Sequence, residues 1–216
     1  AHPDNLVLTT GDLLLSAQDI DGYIWSMQTI QANGAKLFAA GSKKERAFHI
    51  AGNKGLSLDA VINTMSAIVI SEGYATADTL SQALNQPVIA AFDSGNLPKV
   101  AQDWRVKYPA RPIIIAGDDD QHLESTLGKN PGKDKALEAA QLVGGRAVFP
   151  VFAPDEQVLH KLTDFNDLAN KSVLGIEAVK RQVESVVHDI AQISTKIHTQ
   201  TKLQERVTVK SRALTR

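Results

Sequence analysis

Three carboxylates stand where acids can do chemistry, because Glu72, Asp118 and Asp120 each follow an apolar run. The runs are Ile68-Val69-Ile70-Ser71-Glu72-Gly73 and Ile113-Ile114-Ile115-Ala116-Gly117-Asp118-Asp119-Asp120. A β-branched run of this kind reads as a strand buried on both faces, which puts the acids at its carboxyl end, where open α/β sheets build their sites. Residues two apart in extended chain point the same way, so Asp118 and Asp120 can share a cation while Asp119 turns elsewhere. The chain contains no cysteine. An all-oxygen donor set favours hard ions, Mg2+ or Mn2+, over zinc.

The elements that must carry these acids alternate as βαβαβα. Helix-like stretches follow the two acid-tipped strands at Ala75 to Leu84 and Lys133 to Val143, and between them lie strand Val88 to Phe92 and helix Leu97 to Tyr108. In a doubly wound sheet of flavodoxin-like order the first and third strands are neighbours, roughly 4.8 Å apart. Glu72 then faces Asp118 and Asp120 across one crevice. Before this unit, apolar and polar residues alternate between two hairpin signals, Asp21-Gly22 and Asn33-Gly34. They predict an antiparallel meander of Asp12 to Gln18, Tyr23 to Gln31 and Ala35 to Ala39.

A net charge of −1 excludes a chain that is basic throughout. Local basic segments remain. The loop with Lys43, Lys44 and Arg46 reads either as a solvated turn or as a phosphate contact, and Lys129 and Lys133 are candidates of the same kind. Residues 121 to 135 read as a loop running into a helix; the segment Gly128 to Lys133 lacks the Gly-Lys-Ser/Thr ending of a nucleotide P-loop. A short strand is expected from Arg146 to Val151. Asp164 reads as a helix cap, with the metal site as the alternative. Trp25 and Trp104 read as core aromatics, with base stacking as the alternative. From Ile176, apolar residues at Val183, Ile190 and Ile197 with Val179, Val186 and Ile193 predict a long amphipathic helix packed on its own domain, or else a coiled coil. The tail beyond Thr201 is basic. No apolar run approaches the roughly 18 residues that cross a bilayer, so a cytoplasmic protein without membrane contact is expected.

Four segments, Ser71 to Ala77, Ala91 to Leu97, Ala116 to Asp120 and Thr163 to Ala169, together resemble the Toprim domain of plasmid-conjugation and phage-type DNA primases. The segment from Asp21 to Gly34 resembles the small subdomain preceding Toprim in the same proteins. The resemblance implies a Rossmann-like α/β Toprim sheet at 61–175, a small β-rich subdomain at 1–60, and an amphipathic helix with a basic tail at 176–216. It implies a nucleotidyltransferase, a DNA-directed RNA polymerase of the primase type, that makes short primers in plasmid conjugation or replication. Its partners would be a single-stranded DNA template, nucleoside triphosphates, and other domains of a larger replication or conjugation protein, since the family's zinc-binding and helicase modules are missing here. By motif, Glu72, Asp118 and Asp120 match the catalytic and metal-binding acids, and Asp164 the first acid of a later acidic motif. Asn166 departs from that motif, and Asp167 is the substitute. The alternatives are a Toprim nuclease and a non-catalytic adaptor domain of a relaxase or helicase protein.

Overall fold

A computed structural model describes residues 10–190. The meander forms as expected, from β1 (Leu13–Gln18), β2 (Ile24–Ile30) and β3 (Lys36–Phe38), all antiparallel. Its register pairs Leu13 with Ile30 and Ile30 with Lys36, so these three side chains share one face. That face meets the rest of the molecule through a small apolar contact in which Leu15, Ala17 and Ala47 pack with Phe92.

Next come β4 (His49–Ala51) and α1 (Leu58–Thr64), followed by β5 (Ile68–Ser71), α2 (Tyr74–Leu84), β6 (Val88–Ala90), α3 (Leu97–Lys107) and β7 (Ile113–Ala116). The remaining elements are α4 (Gln121–Leu127), α5 (Pro131–Leu142), β8 (Arg146–Val148), α6 (Glu156–His160) and α7 (Phe165–Asn170), with a further helix, α8, over 175–190. The sheet order is β4-β6-β5-β7-β8, parallel except for β4, which runs antiparallel to β6. The three strands of the βαβαβα unit thus take the flavodoxin-like order, with β5 beside β7. Ser71 pairs with Ala116, which brings the residues after each strand to the same edge.

The apolar runs are buried on both faces because helices cover both. Ile68, Ile70, Ile113 and Ile115 pack with Val100 and Trp104 of α3 and with Ala136 and Ala139 of α5. Val69 and Ile114 face the other way, onto Ala77 and Leu80 of α2, Phe165 and Leu168 of α7, and Val179 and Val183 of α8. Each such aliphatic side chain contributes about 1.5–3 kcal/mol on burial. The described part of the amphipathic helix therefore packs on its own domain; Ile193, Ile197 and the basic tail lie outside the described residues.

Two expectations need correction. Residues 121 to 135 hold a helix, α4, and the first turn of another: Gly128 closes α4 in the left-handed conformation and Asn130 caps α5, so the loop-like residues are punctuation between two helices. Trp25 is 46% exposed, whereas Trp104 is fully buried as expected. Among the described residues, no helix is long and apolar enough to cross a membrane.

Candidate active site

The carboxyl edge of β5 and β7 carries the acids. Glu72 follows Ser71 directly, ahead of α2, and its carboxyl is pushed above its ordinary range first by burial and then by the charges of Asp120 and Asp93. Asp118 is raised to about 8, by burial first and then by Glu72, Asp164 and Asp120. Its Oδ1 is sealed from solvent and has no hydrogen-bond partner. These acids are close enough to oppose one another's ionisation. Among the described residues, however, no three acid or histidine side chains are drawn into a ready-made metal cage.

Asp119 turns away, as the two-residue alternation predicts. Its carboxylate accepts from Asn130 Nδ2 at 2.7 Å and Gln121 Nε2 at 3.1 Å, with Lys133 Nζ at 3.5 Å. Burial opposes its ionisation, but these partners outweigh it and hold the group below its usual range. Asn130 is the organiser here: its Oδ1 also accepts the Asp120 amide at 3.0 Å and the Lys133 amide at 3.3 Å. Gln157 donates to the Asp119 carbonyl at 3.0 Å. Gly132, in the first turn of α5, lies so close that an added Cβ would stand 3.0 Å from Asp118 Cβ and 3.1 Å from Asp120 Oδ2. The start of α5 is thereby pressed against the acidic loop.

Asp164 is a helix cap, accepting the Asp167 amide at 2.7 Å, and its other oxygen accepts from Thr76 Oγ1 at 3.1 Å. It also reaches Asp118 electrostatically. Asp167 turns back to the Thr163 amide at 3.0 Å and pairs with Lys171 at 2.7 Å, a structural set of partners.

Four of the five basic candidates, Lys43, Lys44, Arg46 and Lys133, are already engaged. Lys44 pairs with Asp93, Arg46 with Asp103, and Lys43 Nζ lies 3.8 Å from the centre of the Trp25 ring. Lys129 is exposed on the α4–α5 connection. Lys36, which sequence reasoning did not single out, is the lysine at the acids. A Cβ on Gly73 would stand 3.4 Å from Lys36 Nζ, and this ammonium lowers both Glu72 and Asp118. The only sequence signal was register: the Asn33-Gly34 turn places Lys36 on the inward face.

The loop bearing Lys44 and Arg46 is held by Asn96, a buried residue. Its Nδ2 donates to the carbonyls of Ala47 and Ala91, both at 2.8 Å, and of Lys44 at 3.2 Å, while its Oδ1 accepts the Arg46 amide at 2.7 Å. Asn96→Ala takes this partner from the Ala47 and Ala91 carbonyls and the Arg46 amide, while the Lys44 carbonyl keeps the Ala47 amide at 3.0 Å, and is expected to destabilise the fold by about 2–4 kcal/mol. Denaturant unfolding measures it; a loss under about 1 kcal/mol would show that water replaces the amide.

A doubly wound sheet with acids at adjacent strand ends is consistent with the Toprim resemblance, and comparison with known proteins supports it. Residues 67–173 match the Toprim domain family. Two Escherichia coli proteins, each named DNA primase TraC, are 39% identical to the chain over alignments of 232 and 229 residues, covering 82% and 80% of it. The chain spans only 16% and 21% of their lengths. The DnaG primase catalytic domain bound to ssDNA shares the fold, with a TM-score of 0.50 at 18% identity over 85% of this chain and 56% of that one. Residues 67–173 thus match the Toprim domain family, and over about four fifths of its length the chain is similar to the TraC primases.

Proposed function

We propose that this chain is the catalytic part of a DNA primase, joining nucleoside triphosphates into short primers on a single-stranded DNA template as one unit of a larger replication or conjugation protein. What supports this is the mutual charge coupling of Glu72, Asp118 and Asp120 at the carboxyl edge of β5 and β7, where Asp118 keeps one sealed, unpartnered oxygen. The donor set is hard oxygen throughout and suits Mg2+ or Mn2+. Asp118 and Asp120 would hold the ion on the triphosphate side, Glu72 would either share a second or serve as the proton-transfer group, and Asp164 would support from its helix cap. Ions held by these residues would supply charge neutralisation of a triphosphate and would help ionise an attacking hydroxyl.

The protein's own groups do the rest. Where Glu72 does not share an ion, its raised proton affinity suits it to take the proton of the primer 3′-hydroxyl. Lys36 approaches the same acids from the meander and would bind a phosphate drawn to them. Asn130 and the start of α5 hold the acidic loop in position. Lys43, Lys44, Arg46, Lys129 and Lys133 remain template or triphosphate contacts in this reading, and those already paired would exchange a carboxylate for a phosphate.

The test is incubation with single-stranded template, labelled ribonucleotides and Mg2+ or Mn2+, with ion binding followed by calorimetry. Primase activity gives short labelled products. Shortening of the template would instead identify a nuclease, and failure to bind ion or make product would leave an adaptor.

A further inference from the structure

The β1–β2 hairpin carries an aromatic surface that the active site does not use. Tyr23 is 62% exposed and Trp25 46% exposed, with their ring centres 4.6 Å apart. Exposed rings are commonly loose, but this indole is fixed on two sides. Its Nε1 donates to Asp19 Oδ2 at 2.7 Å, and Lys43 Nζ lies 3.8 Å from its ring centre. Asp19 is itself immobilised, because its other oxygen accepts the amides of Asp21 and Tyr23, both at 3.0 Å. The Lys43 backbone is tied as well, its carbonyl accepting from Ser26 Oγ at 3.0 Å.

We infer that Trp25, with Tyr23 and Lys43, is a stacking platform for single-stranded nucleic acid leading to or from the acidic crevice. A pre-oriented ring offers a base its π-face with little ordering cost, and an adjacent ammonium can meet the phosphate beside that base. Placement gives the path of the strand. Lys43 lies on Trp25 while the next residue, Lys44, pairs with Asp93, whose charge acts on Glu72. Two consecutive residues thus link the platform to the rim of the site. Arg46 continues the basic line on Asp103. An apolar protein partner would be served by free aromatic surface alone; an indole clamped by a carboxylate and capped by a cation suits an anionic, flat ligand better. The inference rests on the primase reading for the identity of the strand, and on the hairpin geometry for the site.

The probe is a fluorescein-labelled oligothymidylate of twelve nucleotides, titrated with the full chain without divalent ions at low salt and followed by anisotropy. Trp25→Ala is expected to weaken binding about tenfold and Trp25→Phe less than about threefold. Lys43→Ala is expected to lower the slope of log affinity against log salt by about 0.7, one single-strand phosphate. In the unaltered protein the oligonucleotide should quench tryptophan emission, since Trp25 is accessible and Trp104 is sealed. This measurement stands even if Trp25→Ala does not fold. Binding by Trp25→Ala within twofold of the original, binding without quenching, absence of binding, or self-association that hides Trp25 would each overturn the platform. Failure of the primase reading shows separately, as oligonucleotide binding with quenching but no nucleotide incorporation.

Discussion

Asp118→Asn is expected to abolish divalent-ion binding and to lower primer synthesis about a thousandfold, the equivalent of losing several kcal/mol of charge stabilisation at the transferring phosphate. The same variant should be more stable than the original protein when no ion is present. In the folded chain burial first, and then Glu72, Asp164 and Asp120, lift the Asp118 carboxyl to about 8 from 3.8. Between those values the folded state keeps a proton that the unfolded chain has released, so stability falls as pH rises through that window. Glu72 and Asp164 are raised too and act in the same direction. Above about pH 8 the full penalty of burying the charge is present, and asparagine removes it. Thermal unfolding from pH 5 to 9 reads this directly. The ion-free original should lose several degrees across the range, the variant much less, and Mg2+ should rescue only the original. A flat profile for the original, or unchanged activity in the variant, would contradict the assigned role.

Lys36→Met should have the next largest effect, a fall in kcat/KM of about tenfold to a hundredfold at neutral pH, the range expected for losing a hydrogen bond to a charged phosphate. The pH dependence separates this from simple damage. The Lys36 ammonium lowers both Glu72 and Asp118. Without it both acids hold their protons to higher pH, so the acidic limb of the rate profile should move upward. Lys36→Arg should restore much of the position of that limb. If the limb stays in place, Lys36 does not act on the acids, whatever the loss of rate.

The positions of Glu72, Asp118 and Asp120 were legible in the sequence because the feature that places them is local. A β-branched run cannot avoid reading as a buried strand, and the residue after it must emerge at the strand's end. The turn of Asp119 away from its neighbours follows from the same alternation. Lys36 was invisible for the opposite reason: it lies far from both acidic motifs in sequence, and only the packing of the meander on the sheet brings it to Gly73. Lys44 and Arg46 were read as a basic loop because their acidic partners, Asp93 and Asp103, are about fifty residues away. The helix α4 escaped because its seven residues carry little amphipathic signal and are followed by Gly128, Asn130 and Pro131, which punctuate strongly. His49 to Ala51 could not be assigned to the large sheet, since a three-residue edge strand has too short a pattern to register.

That edge strand decides how separable the molecule is. Gln18 at the end of β1 exchanges backbone hydrogen bonds with Phe48, at 3.0 and 2.8 Å, and His49 Nδ1 meets the Ser16 carbonyl at 3.1 Å, so the meander is stitched to β4, which is itself a strand of the large sheet. A crevice whose cation comes from one side of this seam and whose anions come from the other cannot be inherited piecemeal. Recombination between relatives would have to exchange the whole stretch from the first hairpin through β7 as a single cassette, and a swap of either side alone would strand a lysine opposite an ill-matched row of acids.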